Sequence, residues 1–308
     1  MKILVLGARG FIGKHLCTAL VTANYEVYGF DLPPINGCWP DIAGVNWIAG
    51  QFENQADIIS ALDGIDLVFH MISTSIPKTS NENPLIDLQQ NVSNTLKLLD
   101  SIIAQPKMPS IIFLSSGGTV YGIPFAIPIP EGHSTDPLSA YGIAKLTIEK
   151  YLALYGYLHG LDYRILRLAN PYGEYQSFTS GQGIIAAIIH KALNHESLHI
   201  WGDGSVIRDY IYIGDVVSAM IAMIEYNGPE KLFNIGSGKG YSILDLLQTV
   251  RDLLQRDITC QYFPSRICDV PINVLDINRA VSVLRWNPTI SLKEGMGRVI
   301  DFQIRENA

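Results

Sequence analysis

Seven residues near the start of the chain, Gly7-Ala8-Arg9-Gly10-Phe11-Ile12-Gly13, limit the folds open to it more than any other feature. They lie between a short apolar run, Ile3–Leu6, and an amphipathic helical pattern, Ile12–Thr22. Glycines at such a junction permit a tight turn and let backbone N–H groups at a helix N-terminus approach a pyrophosphate. The spacing is GxxGxxG, not GxGxxG. Further strand-like runs at Glu26–Phe30, Trp47–Ala49, Leu67–His70, Ile111–Leu114 and Tyr163–Leu168 alternate with helical patterns near Ala56–Leu62, Asn91–Ile103 and Ala144–Tyr157. Strands joined by helix-length crossovers predict an α/β fold, a doubly wound parallel sheet with helices on both faces.

After Arg167 the alternation ends and loops rich in Gly, Pro and Tyr take over. The expected division is a Rossmann domain over 1–170, to which a strand near 231–236 returns, and a smaller interleaved α/β lobe over 171–308. Within the lobe, a helix is expected over Ile184–Leu193. Another should start at Ser242, with Asp245 at its third position. At 48% hydrophobic over 308 residues, the chain can bury a large core. A formal charge of -7 argues against nucleic acid or an anionic membrane as the main partner. No apolar run reaches the roughly 18 residues of a membrane span. The strand pattern that follows Met1 directly leaves no room for a signal peptide, so the cytoplasm is the expected address. The four cysteines and the histidines, His133, His190, His195 and His199 among them, have no metal-ligand spacing, and no metal is expected. His70, ending an apolar strand, reads as a packed or cofactor-adjacent residue and not as a base.

Asp31 ends the second strand, 18 residues after Gly13. A carboxylate there accepts hydrogen bonds from adenosine ribose hydroxyls and repels a 2′-phosphate, which predicts NAD over NADP. Arg9 is the counter-signal, because a guanidinium could bind that phosphate. Tyr141 and Lys145 stand four residues apart at the start of a helical pattern, which puts both on one face. An ammonium there is expected to lower the phenol pKa and let Tyr141 act as a general base. Upstream, Ser115-Ser116-Gly117-Gly118-Thr119-Val120-Tyr121-Gly122 forms a small-residue loop at the carboxyl end of the fifth strand, where ligands of such sheets bind.

With these motifs, and with Asn91-Val92, Leu166-Arg167-Leu168-Ala169-Asn170-Pro171-Tyr172-Gly173, Arg208-Asp209-Tyr210 and Asn273-Val274-Leu275-Asp276, the sequence resembles the extended short-chain dehydrogenase/reductases over almost its entire length. These are the NAD-dependent epimerase/dehydratases, and the chain looks most like the nucleotide-sugar 4-epimerases of the UDP-glucose 4-epimerase kind. The resemblance implies that Tyr141 takes the O4 proton of a UDP-sugar while the C4 hydride passes to tightly bound NAD, with Lys145 holding the nicotinamide ribose. It implies a cofactor site of Gly7, Gly10, Phe11, Ile12, Gly13, Asp31, Gln51, Phe52, Asn91, Tyr141 and Lys145. Gln51 stands where the family often has an Asp facing the adenine. It implies a substrate site of Thr119, Asn170, Arg208, Arg266, Asp269 and Asn273, the arginines facing the diphosphate. Asn273, where relatives use residue size to admit or exclude 2-acetamido sugars, is small enough to admit them. A homodimer through the helices at Asn91–Ile103 and Ala144–Tyr157 is implied as well.

Two departures open alternatives. The family usually carries a Ser or Thr at the position of Gly117, bridging sugar O4 and the tyrosine. Here Thr119 is the expected substitute, on the reasoning that an extended path keeps it on the same side, with Ser116 second. Dehydratases and decarboxylases carry acids where Gly118 and Thr119 stand, so their absence favours epimerisation. A 4-ketoreductase, a dehydratase or a catalytically silent NAD- or sugar-nucleotide-binding regulator remain the rival readings.

Overall fold

A computed structural model of the chain describes residues 1–34, 37–75, 80–178, 183–264 and 270–306. They fall into two compact units, one of 1–120, 137–167 and 223–233, the other drawn from 121–136, 168–222 and 234–308. The break expected at 170/171 therefore comes at 167/168, and segment 121–136 belongs to the second unit. Its anchors explain why. Ile129 N donates to Val274 O at 2.8 Å, and the Tyr121 hydroxyl donates to Asn234 Oδ1 at 2.6 Å. Such long-range bonds have no signature in local sequence.

In the first unit, β1 (Lys2–Leu6) pairs in parallel with β2 (Glu26–Asp31) and β4 (Leu67–His70). β2 continues to β3 (Val45–Ala49), and β4 to β5 (Ser110–Ser116) and then β6 (Tyr163–Leu168). A seventh strand, Leu232–Ile235, completes the parallel sheet beside β6, and the chain passes into the second unit within it. Ile3, Leu4, Val5 and Leu6 are wholly buried, as expected of a strand covered on both faces. The chain winds outward in both directions from β1 and β4. Strand order therefore reverses between them, and a ligand crevice opens at the carboxyl ends there.

α1 (Phe11–Thr22) buries Leu16, Cys17 and Leu20 against the sheet. α2 (Gln55–Ala61) is capped by the Asn54 side chain. The helix expected from Asn91 starts earlier and is not uniform. α3 (Pro84–Asp87) runs into a π-helical turn, Leu88–Ser93, before α4 (Asn94–Ile103). The Asn91 amide donates to both Asp87 O and Asp87 Oδ1 at 3.1 Å inside this turn, a local competitor for regular helix bonding. α5 (Ala140–His159) runs from its N-cap, Ser139, to Gly160, whose φ of 72° suits a helix-terminating glycine.

The second unit is built around strand Ile207–Tyr212. It pairs with Asn170–Tyr172 and Ile272–Asn273 in parallel and with Gly240–Ser242 antiparallel. The helix after Ser242 has the expected capping box with Asp245. Among the described residues no helix is long and apolar enough to cross a membrane.

Candidate active site

The glycine turn follows β1 directly. Gly7 takes a φ of +87°, a backbone conformation that side chains disfavour. A Cβ on Gly13 would lie 2.3 Å from Gly7 O and 2.8 Å from the Ala8 backbone, so only glycine lets α1 close on the turn. Gly10 caps α1 without a side-chain bond, which leaves the first-turn N–H groups, from Phe11 to Gly13, to the pattern that receives a phosphate. At the end of β2 the Asp31 carboxylate is held by Arg9 N at 2.9 Å and Leu32 N at 2.8 Å. The Arg9 guanidinium bonds Leu32 O at 2.9 Å and lies 5.9 Å from the Trp39 ring centre. Gln51 is exposed, and its backbone N–H bonds Asp57, while Phe52 sits 5.2 Å from the His70 ring. This cradle, with a carboxylate at the next strand end, fits a dinucleotide with free ribose hydroxyls.

Tyr141 is half-buried in the first turn of α5, one helical turn before the buried Lys145. Lys145 Nζ donates to Leu114 O at 3.0 Å and lies 5.7 Å from the Tyr141 ring centre and 4.8 Å from that of Phe113. Gly142, between the two, lets the helix approach the β5 turn, since a Cβ there would stand 2.9 Å from Thr119 O.

The pKa reasoning from sequence needs correction. The Tyr141 phenol is not lowered but pushed up to about 12, by burial first and by the Asp87 charge second; a hydrogen bond with the Ser116 hydroxyl works in the opposite direction. Burial pulls the Lys145 ammonium down to about 8, while the charges of Asp87 and Glu149 support it. His70 is driven down to about 3 by burial and by Lys145, so it is neutral at pH 7. Its Nε2 sits 2.9 Å from Thr95 Oγ1, which itself donates to Asn91 O, and the Nε2–H tautomer follows. His70 is thus a packed residue, as read from sequence, and not a base.

The substitute for the hydroxyl missing at Gly117 also comes out differently. Thr119 N and Val120 N both donate to Ser116 O, at 3.3 and 3.2 Å, so the chain turns tightly after β5 instead of running extended. The two-residue alternation used to favour Thr119 does not apply in a turn. Of the two, it is the Ser116 hydroxyl that acts on the Tyr141 phenol, favouring its ionisation. The Thr119 hydroxyl is buried without a bonding partner.

Four supporting residues of this site were missed in the sequence. Ser80 Oγ accepts from Tyr141 N at 3.1 Å and Asn81 Oδ1 from Ala140 N at 2.8 Å, so residues some 60 positions upstream satisfy the first N–H groups of α5. Asp87, 4% exposed, accepts from the Ser75 hydroxyl and the Asn91 amide. Asn91, expected at the cofactor, also takes Thr74 N on its Oδ1 at 3.0 Å, and so fixes the loop after β4. Glu149, one turn beyond Lys145, forms a fork with Arg167 Nε and Nη2, and accepts from the Ser115 hydroxyl. Its four-residue spacing from Lys145 was a readable signal; Ser80, Asn81 and Asp87 offered none.

In the second unit, strand Ile207–Tyr212 sets Arg208 in register with Asn273, and Tyr210 with Asn170. Arg208 Nη1 donates to Ile207 O at 2.9 Å, Asn170 Nδ2 donates to Asp209 O at 3.0 Å, and Asn273 is 1% exposed. The wholly buried Asp209 ties this strand to Ser237 N, Gly238 N and Leu275 N, and burial raises its carboxyl pKa. Three expected substrate residues therefore share one small sheet. Arg266 and Asp269 lie outside the described residues.

The chain matches the model of the NAD dependent epimerase/dehydratase family over residues 3–236; it belongs to that family, and its cofactor is NAD. It is 35% identical over 308 residues to a Methanocaldococcus jannaschii protein provisionally named UDP-glucose 4-epimerase, covering 99% of each chain. It is 32% identical over 306 residues to the dTDP-4-dehydro-6-deoxyglucose reductase of Escherichia coli, covering 97% of this chain and 96% of that one. Its fold is similar to that of the UDP-glucose 4-epimerase of Thermotoga maritima solved with UDP-glucose, at a TM-score of 0.94 and 31% identity over all of both chains.

Proposed function

We propose that this member of the NAD dependent epimerase/dehydratase family inverts C4 of a UDP-hexose or UDP-N-acetylhexosamine by transient oxidation. Tyr141 removes the O4 proton as the C4 hydride leaves, and returns it when hydride comes back to the other face of the 4-keto sugar. Bound NAD supplies the hydride acceptor and, when oxidised, a positive charge that favours the phenolate. The Ser116 hydroxyl favours the phenolate, while Lys145, tethered to Leu114 O, keeps an ammonium beside the ring. The glycine turn and Asp31 hold the dinucleotide. Arg208 and Asn170 are the diphosphate contacts, with Arg266 assigned alongside them from the sequence, and Asp269 is a substrate contact. Buried Asn273 is the gate that leaves room for a 2-acetamido group.

The observation that carries this reading is the Ser116–Tyr141–Lys145 cluster on a β5 turn whose positions 118 and 119, Gly and Thr, offer no carboxylate for elimination. The similarity to the Escherichia coli reductase favours a second reading, a 4-ketoreductase that consumes reduced cofactor one for one. Incubating the purified protein with a panel of UDP-hexoses, with no added NAD, separates the two. C4 epimers forming to equilibrium support the epimerase; no epimer from any UDP-hexose, with a nucleotide-linked 4-keto sugar reduced only as stoichiometric NADH is supplied, supports the reductase. Leu154, Tyr157 and Leu158, exposed on α5, support a homodimer through that helix, and the cytoplasm is the compartment we assign.

A further inference from the structure

A guanidinium in the glycine turn has no part in the mechanism above. The Arg9 backbone N–H holds Asp31 Oδ2 at 2.9 Å, but the side chain turns to the chain that follows β2. Its Nη1 donates to Leu32 O at 2.9 Å, and its Cζ lies 5.9 Å from the centre of the Trp39 ring. At the adenosine end of a dinucleotide site an arginine is the group that receives a 2′-phosphate, and a carboxylate the group that refuses one. This chain has both side by side, and its cofactor is NAD.

The support under the guanidinium is built up from the sheet. Trp47 stands in the middle of β3, in register with Gly29 of β2. A Cβ on Gly29 would come within 2.9 Å of the Trp47 ring and 3.1 Å of Ala8 Cβ, so the missing side chain is what admits the indole against β2. A glycine inside a strand weakens it and often marks such a close approach. Trp39, in the loop after β2, stacks on Trp47 with ring centres 4.9 Å apart and planes 8° from parallel. Both indoles are half-buried. From Gly29 outward the order is Trp47, Trp39 and then Arg9. An indole face attracts a cation through its ring quadrupole, and the planar guanidinium suits it best.

We propose that Trp39, seated on Trp47, is a positioning residue for cofactor choice: it keeps the Arg9 guanidinium engaged on Leu32 O and withheld from a 2′-phosphate. This rests on the reading above that the glycine turn and Asp31 hold the dinucleotide. A guanidinium free to turn would grip a phosphate through two parallel bonds and offset the repulsion from Asp31. Held on the stack, it leaves the choice to the carboxylate, which takes free ribose hydroxyls and refuses the phosphate.

The test reads which dinucleotide each purified variant carries, by mass spectrometry after acid denaturation. All variants are expressed in the same cells and fill from one pool of NAD and NADP. Trp39→Leu, which keeps an apolar side chain but no aromatic face, should raise the NADP share about two- to fivefold, the factor that an exposed cation–π contact corresponds to. Trp39→Phe keeps a ring and should stay with the wild type. Arg9→Ala alone should leave the NADP share unchanged, and added to Trp39→Leu it should abolish the rise. An NADP share that falls in Arg9→Ala alone would put the guanidinium on the phosphate already and overturn the proposal. No rise in Trp39→Leu, or a rise that survives Arg9→Ala, would overturn it too. If Trp39→Leu does not fold, Trp39→Met, which fills irregular gaps, reads the same ratio. Asp31→Asn separates the two levels and serves as the background where the wild-type NADP share is too small to measure. A share unmoved by Asp31→Asn defeats the placement of the dinucleotide itself. A share raised by Asp31→Asn and not raised further by Trp39→Leu defeats only this inference.

Discussion

Replacing Glu149 by Ala should cost far more stability than an ordinary surface charge. Arg167 is 3% and Glu149 4% exposed, and their fork is closed by Arg167 Nη2 on Glu149 Oε2 at 2.6 Å and Arg167 Nε on Oε1 at 3.1 Å. Removing one partner leaves the other charge buried without compensation, which costs about 3–5 kcal/mol. Replacing both by methionine removes two desolvation penalties with the pair and should be nearly neutral. The two single losses should therefore be strongly non-additive, the double variant being far more stable than their sum implies. Urea unfolding supplies the assay, and the midpoint should move while the slope stays constant. The cost should also reach the site, because Glu149 holds Ser115, the neighbour of Ser116, and follows Lys145 by one turn. A loss below about 1 kcal/mol for Glu149→Ala, the level of a solvated pair, would refute the buried-charge reasoning.

Tyr141→Phe should lose about 10²- to 10⁴-fold in turnover while keeping bound NAD, as measured by epimer formation and by cofactor released on denaturation. Gly13→Ala adds a helix-favouring methyl worth about 1 kcal/mol, yet drives it to 2.3 Å from Gly7 O; the strain of about 1–3 kcal/mol should outweigh that gain, lowering Tm and NAD content together. Ser116→Ala should slow turnover about tenfold or more, and more than Thr119→Val, since of the two hydroxyls it is that of Ser116 that favours ionisation of the phenol; the reverse ranking would restore Thr119 as the relay.

Much of the first unit could be read in the sequence because its strands announce themselves. β1 and β4 are near-continuous apolar runs, the mark of strands covered on both faces, and each is followed by turn-forming residues. The glycine turn was equally legible, since steric exclusion at Gly7 and Gly13 leaves few alternatives to glycine. What escaped is what depends on distant pairing. Ser80 caps Tyr141 across 61 positions and Tyr121 reaches Asn234 across 113, so neither local periodicity nor spacing registers them. The β5 turn misled for a different reason. Ser116 and Thr119 were placed by strand alternation, whereas bonds to Ser116 O close a turn in which alternation has no meaning. The sign of the Tyr141 shift was misjudged because a four-residue spacing reveals the ammonium but not the depth of burial or the carboxylate of Asp87.

The central claim is that one bound NAD takes hydride from C4 and returns it to the same carbon. UDP-glucose carrying deuterium at C4, incubated with the pure protein and no added cofactor, tests this directly by NMR and mass spectrometry of the product. The claim predicts UDP-galactose with deuterium retained at C4 and none passed to solvent or to free NADH. Inversion with loss of the label to water, or label appearing stoichiometrically in released NADH, would contradict it.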